Sequence, residues 1–434
     1  MIIDFSFCNF RSFKDSTEFT MRSESNKDKI DNTFVVSLTE NTELRLLKTS
    51  VIYGANASGK SNFIRAFHAF IWLIKNSSDF KVDSKKIACY EPYELDTNTE
   101  HEPISFKITF LIEETKYLYE IMFDKDKILN EKLDFYPKGQ TSNLFERKNN
   151  PDSDYDIVKL GKDLKDKKIV KKVFNKQLYL SRFGSDIPHD QLTKIYKYLV
   201  SISVWNAFDK FNINKLSKEI AEAVSNPENI KFKNRLSKLI KISDTKIERI
   251  ESKELKKEEF DFPTEIGEEI FNSFYEANKI RTFSYHKVYK NREEIGYKEF
   301  DFNKKESTGT KVLFALGGII LQTLEKGGVI IFDELDNSLH PKLCKFLIRL
   351  FNSKISNPKN AQLIFATHEV TLLDKDVFRK DQIWFAQKNK YGESEIYCVK
   401  DFEGVRDTTN FELWYRTGKF GGNPKIKEVE FIYE

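Results

Sequence analysis

Gly54-Ala-Asn-Ala-Ser-Gly-Lys-Ser61 fits the phosphate-cradling pattern G-x-x-x-x-G-K-[ST]. Its glycines let backbone N–H groups point at phosphates, Lys60 has the reach for β and γ oxygens, and the Ser61 hydroxyl suits Mg²⁺. The loop and its edge (Gly54, Asn56, Gly59, Lys60, Ser61, Asn62) are therefore the expected nucleotide contacts. Thr49–Tyr53 upstream reads as a short buried strand, and Phe63, Phe67, Phe70, Ile71 and Ile74 recur downstream at helical spacing. Strand, loop and helix N-terminus in that order make an anion site.

Far along the chain the apolar run Gly327–Phe332 ends in Asp333-Glu334. An aspartate at a strand end is expected to hold Mg²⁺ through water, and the glutamate beside it to orient and deprotonate an attacking water. Glu306-Ser-Thr-Gly-Thr310 precedes an apolar helix over Val312–Leu324 and suits a second phosphate-binding helix start, with a capped helix after a loop as the plain alternative. Its distance in sequence from Lys60 places it to serve a partner's nucleotide in a head-to-head dimer. His368 closes another strand pattern, Leu363–Ala366, where it is placed to sense a γ-phosphate. The catalytic set is thus Lys60, Glu334 and His368, and the metal set Ser61 and Asp333.

Composition excludes little. Lys+Arg is 71 against Asp+Glu 67, and a net charge of +4 argues neither for nor against a nucleic-acid partner. The four cysteines are scattered, as reduced intracellular thiols are. Asp4 and the absence of a long apolar opening speak against a secretory signal, and Val312–Leu321 is about half of the roughly 20 apolar residues a bilayer span needs. A cytoplasmic protein without a membrane domain is expected.

The chain divides into three parts by pattern. Residues 1–150 carry the loop and a β-lobe, because Ser105–Ile112 and Tyr117–Phe123 alternate apolar with polar. A turn cluster at Asn149–Asp152 marks the boundary to a helical insertion over 151–280, punctuated by Pro227 and Pro263, with an apolar stripe at Leu192, Ile195, Tyr196, Leu199 and Val200. Strand patterns return over 281–434. Lys159 to Lys176 holds eight lysines and reads as a surface helix with its apolar stripe at Leu160, Leu164, Ile169 and Val173; contact with a phosphate backbone is the sharper alternative. Partner recognition is expected on the insertion, including this basic face. Arg281 and His286 read as the end of a core strand.

The ordered set of motifs resembles the ABC-type ATPase heads of the structural-maintenance-of-chromosomes class. The resemblance implies an α/β, ABC-ATPase-like P-loop fold with an N-terminal antiparallel β-lobe and a helical insertion. It also makes Gly54–Ser61 the Walker A loop, Val329–Glu334 Walker B, and Glu306–Thr310 the signature motif with Ser307 and Gly309 as its key residues. Leu335–Pro341 is similar to the D-loop, with Asp336 facing a dimer partner, and Asn9–Asp15 resembles the N-terminal motif that brings Arg11 and Ser12 near nucleotide. No Q-loop glutamine is assigned. ATP and Mg²⁺ are the implied ligands. Within the class, the opening, the signature, Asp333–Pro341 and the closing Phe411–Ile426 resemble the stand-alone ATPases of abortive-infection, PARIS, Septu and Rlo-type anti-phage systems. That implies a homodimer or higher oligomer through the heads and a separately encoded effector, with any nuclease or toxin on another polypeptide. A DNA-repair ATPase that clamps DNA, and a nucleotide-locked structural oligomer, are the alternatives.

Overall fold

All five residues of Thr49–Tyr53 are buried, in a strand that parallel neighbours pair on both edges. A strand covered on both faces has no polar face to present, so it reads as a continuous apolar run. A computed structural model describes residues 1–422 apart from 40–41, 82–85, 138, 166–167, 207–209, 244, 261–266 and 337. Lys167, Pro263 and Asn337, and the part of the closing segment beyond 422, lie outside the described residues.

The sheet around the loop strand runs in the order Ser203–Asn206, Val329–Asp333, Gln362–Ala366, Thr49–Tyr53, Ile383–Lys388, Ser394–Cys398. Its central pairs are parallel and its last pair antiparallel. In such sheets the ends of the strands carry the ligand, and the loop, Asp333 and His368 all follow strand ends. The helix Lys60–Asn76 starts at Gly59, whose φ of 115° and missing side chain are both required: a Cβ there would sit 2.5 Å from Ser394 Oγ. Its phenylalanines face an eight-stranded antiparallel sheet that starts from Ile2–Cys8 and Thr17–Thr20 and includes Ile104–Ile112 and Thr115–Phe123. Phe67 stacks on Phe5 at 3.8 Å and Phe63 meets Phe19 edge-on at 5.2 Å. One apolar core joins this helix to both sheets, with Ile52, Ile331 and Ile364 on one side and Phe106, Ile108 and Tyr119 on the other.

The β-lobe does not end at Asn149–Asp152. That turn joins Ser142–Lys148 to Tyr155–Leu160, and Lys172–Phe174 adds a further strand at the edge. Among its described residues the lysine-rich stretch is therefore strand, turn and strand, not a surface helix. Its apolar members do point inward, with Leu164 and Val173 buried, but an extended sheet edge buries them. Under this sheet Arg147, Glu131 and Asp156 form a fully buried ion cluster, Arg147 Nη2 lying 2.8 Å from Asp156. Burial holds the Glu131 carboxyl above its ordinary range against the pull of Arg147.

The chain separates into two compact units. The first is Met1–Trp205, Gly327–Leu335 and Ile348–Glu434; the second is Asn206–Lys326 and Asp336–Leu347. The boundary thus falls near Asn206 rather than at 151, because residues 155–200 complete the antiparallel sheet and cover it. The second unit packs the helices Lys210–Ser225 and Ile230–Ile242 on Thr308–Lys326, with a three-stranded antiparallel sheet, Ile247–Glu254, Ile280–Lys290 and Glu293–Asp301. Among the described residues no helix is long and apolar enough to cross a membrane.

Candidate nucleotide site

Ser61 begins the helix after the loop and Asp333 ends the strand Val329–Asp333, and the Ser61 hydroxyl donates to Asp333 Oδ1 at 3.2 Å. Asp333 is 2% exposed. Two residues 272 positions apart thereby present a hydroxyl and a carboxylate to one point, a pair of hard oxygen donors that fits Mg²⁺. Glu334 leaves the strand with φ 58°, a left-handed conformation that costs a non-glycine residue on the order of 1 kcal/mol or more and concentrates at functional sites. Lys60 is buried, and its ammonium donates to the loop's own carbonyls, Gly54 at 2.7 Å and Ala55 at 3.0 Å. Ala57 within the loop also has φ 61°. Such a turn aims successive N–H groups into one concavity.

Arg11 and Ser12 reach the same region. Ser12 Oγ accepts from Asn62 Nδ2 and from Ser394 Oγ, each at 2.8 Å, tying the N-terminal motif to the first turn of the loop helix. Arg11, at φ 51°, makes a two-pronged pair with Glu91 at 2.7 and 2.6 Å. Beside them lies a hollow of about 320 Å³ that Pro92, Tyr93 and Lys388 also line. Glu91, Ser394 and Lys388 belong to no motif. They come from separate chain segments, and no local pattern announces them.

In front of the loop is an open cavity of about 1090 Å³, lined by Gly54–Ser58, His368, Gln387, Lys388 and Arg416 among others. His368 is exposed and follows Thr367, whose N–H donates to Ile52 O at 3.1 Å. Glu369 caps the next turn through Thr371 N–H at 2.9 Å. That hydrogen bond, with His368 and Arg416 nearby, holds its carboxyl below the usual range.

Ser307, Gly309 and Asp336 fall in the second unit. Ser307 caps the helix Thr308–Lys326, accepting from Thr310 N–H at 3.2 Å. A Cβ on Gly309 would come within 3.2 Å of Ser338 O, so the backbones at Gly309 and Ser338 lie close. Glu306 accepts from Ser284 Oγ at 2.5 Å and from His286 Nε2 at 2.8 Å, so His286 anchors the first residue of the Glu306–Thr310 stretch. Strand periodicity gives no sign of this role.

A family model described as "AAA domain, putative AbiEii toxin, Type IV TA system" matches residues 50–374, from the loop strand past His368. The chain belongs to that family. For this AAA-domain protein no curated protein gives a match. The SMC head domain from Thermotoga maritima aligns at 14% identity and a TM-score of 0.38, covering 92% of this chain and 98% of that chain.

Proposed function

We propose that the chain binds Mg·ATP at Gly54–Ser61 and hydrolyses it with Glu334 as general base. The composite sites belong to a homodimer in which Ser307, Gly309 and Asp336 of a second copy close on the nucleotide. The hydrogen bond from Ser61 to Asp333 carries this reading, because it joins the phosphate loop to the strand-end acid that the chemistry needs. Ser61 and Asp333 would hold Mg²⁺, which when bound neutralises charge developing on the phosphate oxygens. Lys60, now on the carbonyls of Gly54 and Ala55, exchanges them for β and γ oxygens. Glu334, next to Asp333, would accept the proton of an attacking water, and His368, which lines the cavity before the loop, would sense the γ-phosphate.

The ATPase is read as the sensor or scaffold of an anti-phage system that controls a separately encoded nuclease or toxin. The family description, which names a type IV toxin–antitoxin system, supports this role. Cells expressing the chain with its neighbouring genes should resist phage, and Lys60→Ala should abolish both protection and ATP binding by the purified protein. Full protection by a Lys60→Ala variant shown not to bind ATP would refute the role.

A further inference from the structure

The segment from Phe411 to Gly422 belongs to none of the nucleotide motifs, yet it forms one wall of the cavity before the loop. Its backbone is fixed there by several independent contacts. Ala55 N–H, inside the loop, donates to Gly422 O at 2.9 Å. Gly422 N–H donates to Gln387 Oε1 at 3.2 Å, and the Tyr397 hydroxyl donates to Phe420 O at 2.8 Å. Phe385 stacks on Tyr415 at 5.1 Å and on Phe420 at 5.2 Å. The close approach depends on glycine: Gly421 has φ 68°, and a Cβ there would lie 2.7 Å from Gln387 Oε1. A backbone this close to the phosphate loop carries one cation, Arg416, into the cavity that His368 also lines.

We infer that Arg416 is a phosphate-binding residue acting within the same chain, directed to the γ end of a nucleoside triphosphate in the cavity it shares with His368. The inference rests on the ATP-binding reading of the loop. Arg416 sits on the short helix Phe411–Arg416, and its Nε bonds Glu412 one turn earlier at 3.0 Å. The planar fork of a guanidinium suits phosphate oxygens. Its charge already reaches Glu369, next to His368. The plain reading is an exposed helix ion pair, which contributes little to anything.

Equilibrium binding of fluorescent ATP and ADP separates the two. In Arg416→Ala the ATP Kd should rise roughly tenfold, the effect of losing one charge-assisted contact, while the ADP Kd changes less than about twofold. Arg416→Lys should recover part of the loss, and Glu412→Gln should leave ATP affinity at the wild-type value or tighter. Unchanged ATP affinity in Arg416→Ala, or equal loss for ATP and ADP, overturns the inference. Wild-type protein that binds neither nucleotide would instead refute the ATP-binding reading itself.

Discussion

At the residue scale, the atoms that meet around the loop come from segments with nothing in common in sequence. Ser61 and Asp333 are legible because each sits in a motif whose neighbours are dictated by the same chemistry. Glu91 and Ser394 are not, because a carboxylate or hydroxyl in a loop has no spacing that distinguishes it from a solvated one. Lys48 is equally silent, yet it is fully buried and, among the described residues, donates to Asn352 O alone, at 3.3 Å. Desolvation lowers its pKa from the ordinary 10.5 to about 8. Below pH 8 the ammonium is charged both folded and unfolded, so its burial penalty is present in full. Between about 8 and 10.5 the folded protein sheds the proton first, and stability rises with pH. Lys48→Met should therefore stabilise the protein at pH 7 by about 1–2 kcal/mol, the burial penalty less the lost hydrogen bond. The gain should shrink towards pH 10.5, as urea denaturation of both proteins at each pH would show. A gain that grows with pH would contradict the argument.

At the element scale, alternation identified Ser105–Ile112 and Tyr117–Phe123, which are strands over Ile104–Ile112 and Thr115–Phe123. The helix after the loop was equally plain, since its phenylalanines recur at helical spacing and do face a sheet. The lysine-rich stretch misled because Leu160, Leu164 and Val173 are spaced like a helical stripe, while each is placed by a different strand or turn. Only long-range pairing at a sheet edge decides between the two, and a short window does not contain it. The same sheet hides its main polar anchor. Arg147 donates to Ile128 O at 3.2 Å and Asn175 O at 3.0 Å while pairing with Asp156, all away from solvent. Arg147→Met would leave Glu131 and Asp156 buried without their counter-charge, which costs about 3–5 kcal/mol. Breaking the solvent-facing pair of Lys107 with Glu120, 2.9 Å apart, should cost under about 1 kcal/mol. Comparable losses for Arg147→Met and Lys107→Met in denaturant titrations would show that the buried cluster is not the lobe's anchor.

At the scale of the whole molecule, the nucleotide motifs divide between two compact units. The loop, Asp333, Glu334 and His368 belong to the first, and Ser307, Gly309 and Asp336 to the second. Motif order made the ATPase class legible from sequence. It could not show where one unit ends, since residues 155–200 look helical in part yet complete the first unit's sheet. Glu334, in its left-handed conformation beside a buried Asp333, is the proposed base that activates water. The most direct measurement is Mg²⁺-dependent ATP turnover by purified wild-type and Glu334→Gln protein, with ATP affinity measured in parallel. Loss of a general base predicts turnover reduced roughly 10²–10⁴-fold with ATP affinity retained. Turnover by Glu334→Gln at the wild-type rate would rule out Glu334 as the base.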